Sequence, residues 1–397
     1  MRVAVVGAGI AGLTVAAALS RAGVRAEVFE QADELGEVGA GIQISPNATR
    51  LLHRLGLTER LRTVAVRPNA LEMRRWDDGR TLMRTTLGDQ CEEMFGAPYY
   101  TVHRADLHGA LLGLLDQRTV HLGRRCVAVD EGEDEVRLRF ADGSTAVADV
   151  VVGADGIHSV IRKLLVSDTA RYSGQSVYRG VVPADRVESL VQQPAVRIWL
   201  GPGQHFVCYP ISQGRLVSFV ATTPADEWRT ESWTTEGEVS DLLAAYPGWN
   251  DETRQLIAAA DRVTRWALHD REAVARWSSH RVTVAGDSAH PMLPFGAQGA
   301  AQGIEDAVAL ARCLIAATPV SVPEALRHYG EVRTSRIATV QEFIRNNTRN
   351  HHHSDGPEQE SRDRAMDENW GLRGQSWLYG YDAERSVSGE PALVMTP

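Results

Sequence analysis

The chain has 397 residues, 43% of them apolar and 23% charged, and a formal net charge of −9. That is enough for roughly two or three domains around a sizeable core, and the acidic balance argues against nucleic acid or an anionic membrane as the main partner and for small molecules. Arg2 precedes only a short apolar run, no stretch reaches transmembrane length, and Cys91, Cys126, Cys208 and Cys313 match no zinc or thioredoxin spacing, so a cytoplasmic protein with reduced thiols, no metal site and no integral membrane segment is expected.

Val3 to Val6 reads as a strand that enters Gly7-Ala8-Gly9-Ile10-Ala11-Gly12 and then a helical pattern through Leu13, Ala16, Ala17 and Leu19. The first two glycines permit a tight turn and close approach of a pyrophosphate; the third lets helix pack on strand. A second strand, Ala26 to Phe29, ends in Glu30, eighteen residues beyond Gly12, where an acid binds a ribose diol. Strand, motif, helix, strand and acid in that order predict a dinucleotide site, for either NAD or FAD.

Residues 36–47, GEVGAGIQISPN, read as a glycine-rich loop bearing Gln43 and Ser45, with Asn47 capping a helix that stops at Gly56. Ala70 to Trp76 and Arg80 to Thr85 flank Asp78-Gly79, a hairpin signature. His103-Arg104-Ala105-Asp106-Leu107 opens another helix, and Arg104 reads equally as a phosphate partner or a solvated arginine. Val136 to Phe140 turns at Asp142-Gly143 and returns from Ala146 to Val152 as one strand ending at Asp155-Gly156. His158, Ser159 and Arg162 follow on the first turns of an expected helix. In a chain with a nucleotide motif, a ligand role for the strand-end Asp155 outweighs a plain turn.

From Tyr172 to Thr223 the period falls to two, with turns at Gly201-Pro202-Gly203 and Gln213-Gly214, so an antiparallel sheet in a different domain is expected. In Gln204 to Pro210 the alternation puts His205, Val207 and Tyr209 on one face and Phe206 and Cys208 on the other. A histidine and a tyrosine on an apolar face read equally as satisfied core residues or as a catalytic pair. Trp228, Trp233, Trp249, Trp266 and Trp277 read as core or interdomain packing.

Val282 to Ala285 is a further strand, and Gly286 then places Asp287 at its carboxyl end, where open α/β sheets bind their ligands. Pro291, Pro294, Gly296 and Gly299 delay a helix until Gly299, after which Ala300, Ala301, Ile304, Ala307 and Val308 resume a helical period. The N-terminus of that helix stabilises an anion placed against it. Another helix is expected from about Pro323 to Phe343. Arg349-Asn350-His351-His352-His353-Ser354 fits neither a terminal tag nor a metal site, and Trp377-Leu378-Tyr379-Gly380-Tyr381 interrupts a polar tail as a segment that docks on the body.

The amino-terminal G-x-G-x-x-G, Asp155-Gly156 and Gly286-Asp287 occur together in the single-component FAD-dependent aromatic hydroxylases of the p-hydroxybenzoate hydroxylase superfamily, which the chain resembles over nearly its whole length. Within it, GEVGAGIQ at Gly36, HRADLH at His103, YRG at Tyr178, GPGQHFVCYP at Gly201, GDSAHPM at Gly286 and WLYGYD at Trp377 are most similar to the 3-hydroxybenzoate 6-hydroxylases, with salicylate hydroxylases and 6-hydroxynicotinate 3-monooxygenases next. The resemblance implies an α/β fold: a Rossmann-like FAD-binding domain with a parallel sheet, an interleaved antiparallel-sheet substrate domain, and C-terminal helices. Residues 1–72, 99–168 and 268–348 would form the discontinuous FAD-binding domain, 73–98 and 169–267 the substrate domain, and 349–397 a C-terminal tail.

The resemblance also implies that Gly7, Gly9, Ala11 and Gly12 lie against the pyrophosphate and that Glu30 binds the adenosine ribose. Arg104 would meet the phosphates or ribityl region, Asp155 would serve FAD and nicotinamide binding, and Asp287 would hold the ribityl chain. Gly299, Ala300 and Ala301 would address the flavin ring, and Gln31, Gln43 and Cys126 complete the implied cofactor-binding set. Gln43, His205, Tyr209, Pro294 and Phe295 would line the substrate, with His205 as base and Tyr209 assisting. The implied activity is hydroxylation of a small phenolic acid, 3-hydroxybenzoate- or salicylate-like, with FAD, NADH or NADPH and O2, through a flavin hydroperoxide; a homodimer is compatible with it. The same chemistry on a larger aromatic or N-heteroaromatic metabolite, and flavin binding without turnover, are the alternatives. Pro294 stands where 3-hydroxybenzoate hydroxylases carry glutamine, and Gln43 and Phe295 where 6-hydroxynicotinate enzymes carry histidines, so the ring itself stays open.

Overall fold

Arg2–Val6 is buried along four of its five residues and pairs in parallel on both sides, with Arg25–Phe29 and with Val150–Gly153, which is why it reads as an unbroken apolar run. Two shorter strands complete a five-stranded parallel sheet in the order Val282–Val284, Val150–Gly153, Arg2–Val6, Arg25–Phe29, Val120–His121. The computed structural model describes residues 1–36, 40–224, 235–271, 276–366 and 371–393. Residues 37–39 of the glycine-rich segment, Trp228 and Trp233 lie outside them, whereas Trp249, Trp266 and Trp277 are buried as expected.

The Ile10–Arg21 helix packs on the Gly299–Ile315 helix through small residues. A Cβ added at Gly286 would come within 2.8 Å of the Ala11 methyl, and one at Gly303 within 3.2 Å. Ala11 therefore fills the gap between the two helices and the turn after Val284, and any larger side chain there would push them apart.

The second sheet has eight strands, ordered Glu236–Gly237, Val263–Asp270, Arg171–Pro183, Leu216–Pro224, Gln204–Ile211, Ala195–Gly201, Ala70–Arg75, Thr81–Thr86. Its pairs are antiparallel except where Ala195–Gly201 runs parallel to Ala70–Arg75. Alternation in Gln204–Ile211 divides the core as expected: Val207 and Tyr209 join one apolar cluster, Phe206 and Cys208 another.

Five expectations need correction. The glycine-rich segment contains a strand, Gly41–Ile44, paired antiparallel with Tyr100–His103. Asn47 lies inside the Pro46–Arg54 helix rather than capping it; Ser45 holds the cap position. The single strand expected from Ala146 to Val152 is two, Thr145–Ala148 and Val150–Gly153, in different sheets. Between them Asp149 accepts 2.6 and 2.9 Å bonds from the Arg2 backbone and guanidinium. The helix expected at His158 is a single turn, Arg162–Leu165, and the one expected to end near Phe343 is Val322–His351, 30 residues long, carrying the histidine run on its end.

Trp377 to Tyr381 docks as expected: Leu378 and Tyr379 are buried, and Arg336 donates to the carbonyls of Trp377 and Leu378 at 3.0 and 3.1 Å. Among the described residues no helix is long and apolar enough to cross a membrane.

Candidate active site

The glycine motif divides into packing and open positions. Gly7 has φ +105°, and a Cβ there would lie 2.3 Å from the Ala154 carbonyl oxygen; a Cβ at Gly12 would lie 2.0 Å from the Gly7 oxygen. Gly9 has no atom within 4 Å of its Cβ direction and caps the Ile10–Arg21 helix with no side-chain bond to the first amides. Free helix-end N–H groups thus face open space, an arrangement suited to a phosphate. Glu30 braces this loop, accepting from the amides of Ala8 at 2.8 Å and Ala32 at 2.9 Å, which leaves lone pairs for hydroxyl donors. His108 holds the other side through Nε2, 2.7 Å from the Ala8 oxygen, a support the sequence reading missed. Gln31 is exposed beside Glu30. Cys126 is buried, and burial with Asp155 nearby pushes its thiol up to about 11, so it serves as wall rather than nucleophile.

Asp155 spends its carboxylate internally. It accepts from Ser159 Oγ at 2.5 Å, the Val160 amide at 2.7 Å and Ser288 Oγ at 3.1 Å, while Ser288 Oγ also accepts from the Gly156 amide at 2.9 Å. It therefore ties the end of one parallel strand to the turn holding Asp287. Gly286 makes that turn with φ +62°, and its amide donates to Asp306 Oδ2 at 2.8 Å. The Asp287 side chain is accessible yet walled by protein, the situation of a group in a deep cleft. Burial by those walls raises its pKa, and His290 and Arg104 oppose the rise.

The Gly299–Ile315 helix presents its N-terminus to the same cleft, with open space at Gly299 and no side-chain cap. Gln298, the residue that would cap it, is drawn away: its Nε2 donates to Ser45 Oγ at 3.0 Å and its Oε1 accepts from Gln302 at 3.1 Å. Ala297 before it has φ +52°, a conformation costly for a residue with a Cβ and held by the surrounding loop. One turn into the helix is a fully buried ionic network. Arg333 donates to Asp306 Oδ1 and Glu305 Oε2, each at 2.7 Å, Arg336 donates to Glu305, His290 Nε2 lies 2.5 Å from Asp306 Oδ2, and Asn47 donates to Glu305 at 2.6 Å. Burial alone would raise both carboxyls, but Arg336 and Arg333 hold Glu305, and His290 and Arg333 hold Asp306, below the ordinary range.

The opposite wall is the eight-stranded sheet. Tyr209 donates to the Gly41 carbonyl at 2.8 Å, and a Cβ on Gly41 would lie 2.6 Å from the tyrosine ring, so the Gly41–Ile44 strand rests on Tyr209. Burial pushes the Tyr209 hydroxyl up to about 12, and it remains a donor. Tyr99 donates to Gln43 Oε1 at 2.8 Å. Arg179 keeps accessible surface yet is walled by protein, so desolvation lowers its pKa, Tyr209 opposes that and Arg104 adds to it; its guanidinium lies 4.9 Å over Trp266. Arg104 thus acts electrostatically on both Asp287 and Arg179. His205 is buried, with its ring 5.0 Å from that of Phe295, and Asn347 fixes the Phe295 carbonyl at 2.9 Å. Pro294 beside it is half-buried. His205 and Tyr209 stand four residues apart on one strand, roughly 13 Å, with Val207 between them on the same face.

A separate cleft of about 380 Å³ is lined by Arg2, Arg25 and Arg124, but these pair with Asp149, Glu27 and Asp142, and it lies against the beginning of the Arg2–Val6 strand rather than the ligand-binding carboxyl end.

The FAD binding domain family matches residues 1–344. A 3-amino-4-hydroxybenzoate 2-monooxygenase of Streptomyces platensis is 50% identical over 382 residues, covering 96% of each chain. A 3-hydroxybenzoate 6-hydroxylase of Polaromonas naphthalenivorans (strain CJ2) is 36% identical over 342 residues, 85% of each chain. A salicylate hydroxylase substrate complex superposes with a TM-score of 0.83 at 27% identity, covering 99% of both chains.

Proposed function

We infer the reaction from what the chain is: it belongs to the FAD binding domain family and is a flavin-dependent aromatic-ring monooxygenase. Its residues fit FAD, since the open positions Gly9 and Gly299 each lie at an uncapped helix end and two carboxylates, Glu30 and Asp287, accompany them. Bound FAD, reduced by NADH or NADPH, supplies the activation of O2 and the transfer of one oxygen atom to the ring. In this reading Gly9 and the following amides hold the pyrophosphate, Glu30 the ribose and Asp287 the ribityl hydroxyls. The Gly299–Ala301 amides face the flavin ring, where a helix end favours negative charge. The parallel sheet serves the cofactor and the eight-stranded sheet the substrate, in a cytoplasmic enzyme whose partners are the aromatic acid, the nicotinamide and O2.

The substrate is a hydroxybenzoate-class acid. The 50% identity to an aminohydroxybenzoate monooxygenase makes an amino-substituted hydroxybenzoate the first compound to try, ahead of 3-hydroxybenzoate or salicylate. His205 accepts the ring-hydroxyl proton, which makes the ring more electron-rich; Tyr209, whose hydroxyl is committed to Gly41, acts as wall and support. The observation that carries this reading is that the segment from Gly41 to Ser45 joins the two sides, its Gly41 carbonyl bonded to Tyr209 and Ser45 Oγ to Gln298 at the bare helix end. His205→Leu should leave FAD bound and lower hydroxylation by roughly a hundredfold, and undiminished turnover would remove His205 from the role.

A further inference from the structure

The histidine run after Arg349 lies apart from the cofactor-binding residues. The Val322–His351 helix delivers it to the wall of the substrate cleft, where His352 Nε2 lies 2.8 Å from His205 Nδ1 and His352 Nδ1 lies 2.9 Å from the side-chain nitrogen of Gln175. The Gly203 amide fixes the His352 carbonyl at 3.1 Å, and the rings of His351 and Phe295 enclose the pair, 5.0 Å from His205 and 5.6 Å from His352. His205 is buried, whereas His352 and Gln175 are half-buried, so the line runs from the cleft toward solvent. Among the described residues no group of histidine, cysteine and carboxylate side chains is arranged to hold a metal ion.

We propose that His352 is a positioning and relay residue for His205, through which the substrate's ring-hydroxyl proton leaves for solvent beside Gln175. This rests on His205 being the base. His205 Nε2 has no hydrogen-bond partner among the described residues, so it is the nitrogen left for the substrate. Gln175 Oε1 finds no partner where it stands, and a half-turn of the amide sets it on His352 Nδ1. The bonds then run outward in order, His205 Nδ1–H to His352 Nε2 and His352 Nδ1–H to Gln175 Oε1. When the phenol O–H bond breaks, its proton joins His205 Nε2, the Nδ1 proton passes to His352 Nε2, and His352 releases a proton to water. The electron pair of the O–H bond stays on the ring oxygen.

The surroundings favour passage over storage. His205 is faced by Thr222, His351, His352 and Phe295, with Tyr246 on its carbonyl; His352 is faced by Gln175 and His205. Arg362 acts on His351, and the nearby Asp355 and Glu358 are engaged by Arg75 and His353. Burial lowers His205 and His351 well below the ordinary imidazole range and His352 to about 4, so each ring of the relay is neutral at pH 7 and passes on a second proton rather than keeping it.

The test uses holoenzyme with an active hydroxybenzoate and follows proton release by indicator dye in stopped flow, together with kcat and KM. His352→Ala should slow release and kcat by roughly tenfold or more, keep FAD and KM, and be rescued by imidazole in the buffer. Gln175→Leu, which leaves both rings in place, should slow release in the same direction and serves if His352→Ala folds poorly. Wild-type release in both variants, or a loss that imidazole leaves untouched, overturns the relay. His205→Leu run alongside separates the two failures: if it also turns over normally, the base assignment is what fails.

Discussion

Replacing Arg333 by methionine removes a side chain that binds both Glu305 and Asp306. Its guanidinium is fully buried and donates at 2.7 Å to each carboxylate and at 2.8 Å to Gln302 Oε1. Methionine fills much of the space but leaves Asp306 with His290 and Glu305 with Arg336, both short of compensation. Breaking a buried pair in this way costs about 3–5 kcal/mol. With an unfolding entropy of roughly 0.8 kcal/mol per kelvin for 397 residues, the midpoint should fall by about 4–6 °C. The sign of the pH dependence follows from the depressed carboxyls: their contribution is present above their unfolded pKa values and lost as pH falls through the folded ones. The gap between wild type and Arg333→Met should therefore be full at pH 7 and narrow only as pH falls through the ordinary carboxylate range and below it. Thermal melts of the apoprotein at several pH values measure it, and a gap that does not change with pH would mean that packing, not charge, is lost.

Gly12→Ala sets a methyl 2.0 Å from the Gly7 carbonyl oxygen, a backbone clash that costs about 1–3 kcal/mol, so FAD affinity should fall about 5- to 150-fold in a fluorescence titration. An unchanged Kd would show that the loop shifts freely. Tyr209→Phe strands the Gly41 carbonyl and should lower stability by about 1–3 kcal/mol while kcat stays within about threefold; a large fall in kcat with unchanged stability would restore a catalytic part for the hydroxyl.

What the sequence made legible was local. The glycine motif, Glu30, the Asp287 turn and the Gly299 helix start each announce themselves through residues next to one another, and the structure has all of them in the expected elements. The alternation of His205, Val207 and Tyr209 was equally plain, since a strand's two faces are set by its period. Long-range partners decided the rest. Gly41–Ile44 is a strand because Tyr100–His103 lies beside it, and four residues have no period of their own. Asn47 looked like a cap because its partner, Glu305, is 258 residues away. Asp149 sits in an apolar run, and only its bonds to Arg2 show that the run is two strands. The histidine run has no legible partner in sequence because the helix reaching it is two turns longer than its apolar period suggests, and because His205 and Gln175 lie far off in the eight-stranded sheet.

The central claim, transfer of one oxygen atom to a phenolic acid, is tested most directly by turnover under 18O2 with a panel of hydroxybenzoates, aminohydroxybenzoates and larger aromatic compounds. One small phenolic acid should stimulate NADH or NADPH oxidation and yield a product carrying a single labelled oxygen on the ring. A protein that holds FAD while no compound stimulates oxidation, or whose product carries no label, would contradict it.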